Sequence, residues 1–347
     1  MEQNILFGLL LIATGAFSSG SFAIPFGKIK DWRWETYWLI FSTGAYILFP
    51  LVACLVFSPG FMNILKNVPS GTVPAVFLLG AVYGVGNLSF GLSLRYLGIS
   101  LGYALSLGLM LAIGTLIPPL LDGRLRLMID NSGGSLLIAG IIVAVAGIAM
   151  TGLSGYLKDK AVSEAGKKES VGEYNYIKGV VAALLVGVTG SAMSLGFEKG
   201  IPIAETARQM GIDPLFITMP VMLVLLSGTF VTTLAWCIYL GIKSGSLNDY
   251  IRSASSGSLL SNYLFALLAG LLWFSQFILY GMGKSKMGPY TFTSWGILMG
   301  LTIVFATLWG LYRKEWKGAP KRVYLLMAVS LVIIIISSYL IGISGTV

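Results

Sequence analysis

Ten runs of mostly apolar residues, each about as long as a membrane crossing, constrain this chain more than any other feature. They cover 4–26, 36–58, 73–94, 97–121, 135–153, 179–198, 214–240, 259–283, 289–311 and 323–343. A helix needs about 20 apolar residues to cross the hydrocarbon layer. Lipid offers no hydrogen bonds, so every backbone N–H and C=O in such a run must be satisfied within the segment. The predicted fold class is therefore an all-α integral membrane protein with ten transmembrane helices. Composition agrees: 11% of the 347 residues are charged, against about 25% in soluble proteins. No Lys or Arg precedes Lys28. A secretory signal needs a basic start, so the first run is expected to stay as a span.

The charges sit between the runs. Sixteen of the 23 Lys and Arg fall in the odd-numbered loops, among them Lys28, Lys30, Arg33, Arg95, Lys158 and Arg313. Basic loops stay in the cytoplasm, so the odd loops are expected there and both termini in the periplasm. The net charge of +9 thus reads as orientation in a bilayer, and nucleic acid is not expected as a partner. Cys54 and Cys237 lie inside apolar runs and read as packing residues. The chain has no His, which excludes His-ligated metal sites and His bases.

The longest polar segment, 154–178, divides the spans five and five and reads as a cytoplasmic linker between a first half, 1–153, and a second, 179–347. Shifting the chain by 190 superposes Gly80 on Gly270, Tyr83 on Trp273, Phe90 on Tyr280 and Gly91 on Gly281. Five spans is an odd number, so the second copy must insert upside down. The expectation is two inverted five-helix repeats.

All fourteen acidic residues lie near span ends or in loops. A charge at the bilayer centre is costly, so a deep carboxylate relay is not expected. The polar residues within spans are neutral. Trp273, Gln276 and Tyr280 share one helix face, as do Tyr83, Asn87 and Phe90. Tyr103 lies on the fourth span and Trp295 on the ninth. Amides beside aromatic rings suit a sugar, whose hydroxyls pair with the amides and whose C–H faces pack on the rings. The competing reading makes Asn87 and Gln276 interhelical glue and the rings core filling. Arg95 reads either as a gate or as an interface charge. Glu35 reads as part of a cytoplasmic rim or as a protonatable group. Pro25, Pro50, Pro118, Pro119 and Pro220 are candidate helix breaks. Spans five and ten are almost wholly aliphatic and read as lipid-facing scaffold or a homodimer contact.

Five motifs, in order along the chain, resemble the bacterial L-rhamnose–proton symporter family of the drug/metabolite transporter superfamily. They are PFGKIKDWRWETYW (25–38), GNLSFGLSLRYLGISLG (86–102), GIDPLF (211–216), SQFILYGMG (275–283) and KEW (314–316). The resemblance implies an inner-membrane importer of a deoxy-sugar driven by protons, with a cavity lined by spans 1, 3, 4, 6, 8 and 9. It carries over the neighbourhoods of Asn87, Arg95, Gln276 and Trp295. It also points to Glu35 and Asp213 as proton-coupling carboxylates. Glu198, in GFEKGIPIAE (196–205), and GPYTFTSW (288–295) depart from the family pattern.

Three functions are open to such a chain. The first is cation-coupled sugar uptake by alternating access, with Tyr83, Asn87, Tyr103, Trp273, Gln276, Tyr280 and Trp295 as sugar contacts. The second is an exporter or exchanger of another metabolite. An enzyme is the third, and without His or a deep acid it lacks a nucleophile–base pair or metal ligands. No cofactor or metal is expected.

Overall fold

A computed structural model of the chain describes residues 5–121, 134–162, 171, 173–251, 259–287 and 294–344. Every regular element among them is helical. In chain order the α-helices are α1 (Ile5–Ser21), α2 (Trp34–Ser42), α3 (Phe49–Phe57), α4 (Phe61–Lys66), α5 (Thr72–Leu97), α6 (Ile99–Leu121) and α7 (Gly134–Ala161). They continue with α8 (Tyr176–Lys199), α9 (Ile201–Gln209), α10 (Met219–Ser244), α11 (Leu259–Lys286), α12 (Ser294–Tyr312) and α13 (Lys321–Ser344). Among the described residues, eight segments are long and apolar enough to cross a membrane. Two shorter apolar stretches, Ile99–Ile113 and Ile297–Tyr312, lie in the fourth and ninth predicted runs.

The second run is not one α-helix. A π-helical stretch, Thr43–Leu48, joins α2 to α3. Pro50 has no N–H to give the carbonyl of Tyr46, and the wider turn absorbs the defect. Pro25 opens a short 3₁₀ segment, Pro25–Lys28, beyond the end of α1. Pro220 sits in the first turn of α10, where a missing N–H costs nothing. The side chains of Pro118 and Pro119 lie outside the described residues.

The fifth run ends later than its hydropathy predicts. Residues 154–161 were expected in a solvated linker, yet α7 continues through them. Gly140, Ala144, Gly147, Thr151, Ser154 and Lys158 are buried and recur every three or four residues. The buried stripe carries the helix two turns past residue 153, where the apolar run ends.

The RYLG turn between the third and fourth runs reduces to one residue. Gly98 takes φ +84° and its N–H closes on the Leu94 carbonyl at 3.0 Å, so α5 ends and α6 starts at once. A side chain here would be strained twice, by the backbone angle and by the Glu315 carboxylate 2.8 Å from where a Cβ would stand.

The chain forms two compact units that interleave along the sequence. The first comprises Met1–Gly20, Leu88–Ser191 and Gln276–Val347. Its most extensive pairing is α7 with α13. A Cβ on Gly140 would stand 2.9 Å from the Ile341 nitrogen, and the Thr151 hydroxyl donates to Ser330 Oγ at 2.9 Å. Away from that seam, Ile142, Val145, Val332 and Ile336 are exposed, as suits residues facing lipid. In the same unit α1 meets the end of α11 where Gly8 and Gly283 approach each other's carbonyls.

The second unit comprises Ser21–Asn87 and Ala192–Ser275. Here α5 and α10 touch backbone to backbone. A Cβ on Gly80 would collide with the Leu225 carbonyl, and one on Gly228 with the Phe77 carbonyl. Thr229 and Thr232 hydroxyls donate across the crossing to the Gly80 and Ala81 carbonyls at 3.0 and 2.8 Å. On α11, Gly270 lies against α2 less tightly, with the Phe41 carbonyl 2.8 Å from its would-be Cβ.

Candidate functional site

In the second unit, α5 places Tyr83 and Asn87 one turn apart, and their side chains hydrogen-bond to each other. Both are buried. Trp273 of α11 meets Tyr46 edge-on at 5.2 Å and Phe41 at 6.5 Å. Phe41 in turn stacks on Phe22 at 5.2 Å and packs on Trp38 at 4.9 Å. Tyr46 is within electrostatic reach of Tyr83. The unit thus gathers Tyr83, Asn87 and Trp273 around an aromatic cluster whose other members, Phe22, Phe41 and Tyr46, the sequence did not single out. Tyr46 owes its place to the π-helical stretch, which no periodicity announces.

Glu35 lies in the first turn of α2 and is 5% exposed. Its Oε1 accepts hydrogen bonds from the Ser244 and Ser246 hydroxyls at 2.5 and 2.9 Å. Nearby, Asp249 Oδ2 accepts from the Thr36 hydroxyl at 3.1 Å and the Arg33 amide at 3.3 Å. Arg33 also donates to the Ser244 carbonyl. Asn262 clamps Lys30 through both its backbone groups, at 3.1 and 2.8 Å. The rim after α1 is therefore bound tightly to the end of α10 and the start of α11. Asp213, the other predicted proton carrier, is exposed. Its Oδ1 accepts from the Leu215 amide at 2.8 Å, which closes a turn.

In the first unit, Tyr103 of α6 is buried and donates its hydroxyl to the Ser19 carbonyl at 2.6 Å. That carbonyl is left over because α1 stops at Ser21. Phe90 meets Tyr103 edge-on at 5.1 Å. Gln276 is buried, and its backbone lies against Gly15 of α1. Tyr280, one turn on, is half-buried with the Lys284 ammonium 5.9 Å from its ring centre. The side chain of Trp295 lies outside the described residues. Arg95 makes a two-pronged pair with Glu173, both N–H···O distances 2.7 Å.

One acid of this unit went unnoticed in the sequence except as part of KEW. Glu315 is 3% exposed. Its Oε1 accepts from the Ile99 amide at 2.9 Å and its Oε2 from the Ser100 amide at 3.1 Å, so it caps the N-terminus of α6. Burial pushes its carboxyl above the usual range, and the two amide bonds and the charges of Lys158 and Arg313 oppose the shift. Lys158 is 1% exposed. Among the described residues its ammonium makes no hydrogen bond, and it lies 4.9 and 5.3 Å from the ring centres of Trp316 and Tyr174. The signal for Lys158 was present: it continues the three-and-four spacing of the buried face of α7.

The comparisons concern the chain as a whole. The family described as L-rhamnose-proton symport protein (RhaT) matches residues 1–346. The chain belongs to the L-rhamnose-proton symport protein family. Members of this family are transporters, not enzymes. Similar relatives are the L-rhamnose-proton symporters of Cronobacter sakazakii and Mannheimia succiniciproducens. They are 32% identical over 346 and 344 residues, covering 99% of this chain and 98% of each relative. That of Yersinia pestis is 31% identical over 347 residues, with 99% and 98% covered. No solved structure matches. The family match takes in all five motifs that carry the resemblance, and with them Asn87, Arg95, Gln276, Glu35 and Asp213.

Proposed function

We propose that this protein is a bacterial inner-membrane symporter that imports L-rhamnose, or a closely related deoxy-sugar, together with protons by alternating access. The observation that carries this reading is the end-to-end match to relatives named for that activity. Each unit adds support in the form of buried amide and phenol groups within otherwise apolar helices. Tyr83, Asn87, Tyr103, Trp273, Gln276, Tyr280 and Trp295 are the proposed sugar contacts. Uptake of labelled L-rhamnose into proteoliposomes tests the reading. Accumulation should follow an inward proton gradient and collapse with a protonophore. Uptake indifferent to both pH gradient and voltage would remove the symport reading.

The architecture we propose is ten spans in two inverted repeats, with odd loops and the linker in the cytoplasm and both termini in the periplasm. A partner exchange within the second unit supports it. Gly80 on the third span packs on α10, the seventh, while Gly270 on the eighth packs on α2, the second. Exchanging third with eighth and second with seventh maps one contact onto the other. In the first unit α6 pairs with α7 and α12 with α13, which the same exchange also interconverts.

Glu35 is a proposed proton site, held by two serine hydroxyls. Asp213, its sequence-predicted companion, is proposed alongside it, although its side chain already serves a turn. Arg95 is proposed as a gate element through its Glu173 pair, and unaltered transport by Arg95→Ala would return it to a simple interface charge. The exposed ridges of α7 and α13 are the proposed lipid-facing and homodimer surface, which cross-linking of single cysteines at 142 and 336 in membranes would detect.

A further inference from the structure

Glu315, Lys158, Gly98 and Gly310 form a built carboxylate site that neither the hydropathy nor the sugar-facing residues account for. The carboxylate lies between two glycines, and a Cβ on Gly98 or Gly310 would stand 2.8 or 2.7 Å from Oε2. How it gets there is local. Lys314 sits at φ +60°, a conformation that helices ending in a left-handed turn usually give to glycine. The Glu315 amide then closes on the Gly310 carbonyl at 2.9 Å and the Lys314 amide on the Leu311 carbonyl at 2.9 Å. A left-handed lysine is strained, and such strain concentrates at functional positions. Here it turns Glu315 back onto the N-terminus of α6.

We propose that Glu315 is a proton-binding site of the transport cycle, and that protonation there releases the N-terminal turn of α6. The proposal rests on the proton-symport reading given above. As a carboxylate, Glu315 spends one oxygen on each amide and sets a full negative charge against the positive end of the helix. A proton taken from water converts one of those oxygens into a hydroxyl, a poorer acceptor for the amide it faces. That amide bond weakens and the charge–dipole attraction is lost. Conversely, a carboxyl freed from the amides holds its proton more firmly, so proton binding and release of α6 favour one another. Among the described residues, the groups facing the carboxylate are the Ile99 and Ser100 amides from α6 and Lys158 from α7, and Asp159 lies within electrostatic reach of Lys158. Arg313, Lys314 and Lys317 belong to the carboxylate's own segment. Burial raises the proton affinity of this carboxyl, which brings its titration closer to neutrality than that of an exposed acid. The effect has somewhere to go: Tyr103 lies one turn beyond Ser100 and holds the Ser19 carbonyl of α1.

Two measurements test the assignment. In proteoliposomes, Glu315→Gln mimics the protonated acid. It should cut accumulation driven by a pH gradient at least tenfold, while sugar counterflow persists and loses its pH dependence. Accumulation by Glu315→Gln with the pH profile of the native protein would overturn the proposal. The second measurement needs no variant and so survives a folding defect. Amide hydrogen exchange of peptides covering 95–105, corrected for intrinsic pH dependence, should show protection at 99 and 100 falling as pH is lowered. Protection independent of pH would overturn the proposal. Native protein that accumulates no L-rhamnose under any proton gradient overturns the symport reading and this assignment with it. Native accumulation with an unaltered Glu315→Gln variant overturns the assignment alone.

Discussion

A buried carboxyl with a raised pKa leaves a thermodynamic trace that does not depend on transport. Burial pushes Glu315 up, so the folded protein holds this proton more tightly than the unfolded chain. The resulting stabilisation is fully present below the ordinary carboxylate range and is lost as pH rises through the raised value. Melting curves of the native protein across that range should therefore slope downward with pH at this site, and Glu315→Gln should flatten the slope. At the proposed sugar contacts, Asn87→Ala and Gln276→Ala are each expected to raise the half-saturating sugar concentration roughly tenfold, the scale of one lost hydrogen bond to a sugar hydroxyl. Normal transport by both would leave only the glue reading. The sequence makes Asn87, Gln276 and Tyr103 visible because a polar group in an aliphatic span needs a reason to be there. It hides Glu315, because a carboxylate flanked by Arg313, Lys314 and Lys317 reads as a solvated rim. Its burial comes from Gly98 and Gly310, which lie far from it in sequence or close only through a left-handed turn.

Among the elements, glycine placement decides which helices touch. Gly80 and Gly228 each lie against a carbonyl of the opposing helix, and a backbone atom has no rotamer by which to yield. Gly80→Val is therefore expected to cost more than about 3 kcal/mol, at or beyond the upper end of ordinary overpacking. Loss of monodisperse protein on gel filtration, or a large drop in melting temperature, would register it, and a native melting curve would contradict the crossing. Helix positions were largely legible, since apolar runs about 20 residues long have few alternatives in lipid. Two departures have identifiable causes. Hydropathy averages over all faces, so it ended the fifth span at 153, although the buried face of α7 continues through Ser154 and Lys158. The π-helical stretch before Pro50 arises from one missing N–H, which no window of hydrophobicity records.

At the scale of the whole chain, the charge asymmetry makes the plainest claim. A reporter fused at residue 165 is expected to read as cytoplasmic, and an external reading would invert the proposed topology. The 190-residue offset that suggested a repeat came from sparse glycine and aromatic matches. The proposed repeat would relate two packing contacts, that of Gly80 with α10 and that of Gly270 with α2. Sequence alone did not reveal that the compact units take residues from both halves of the chain. Contact between distant segments is a property of tertiary structure, and the polar linker, the natural place to draw a boundary, is not where packing draws it.

The one-residue joint at Gly98 has a mechanical corollary. With one residue between them, α5 and α6 are expected to act as two arms of a single crank, so that axial or rotary displacement of one is delivered to the other. Lengthening this joint by even a few residues would uncouple the arms and carry the first amides of α6 out of reach of Glu315. An epitope tag inserted at this joint should silence transport while leaving membrane insertion intact.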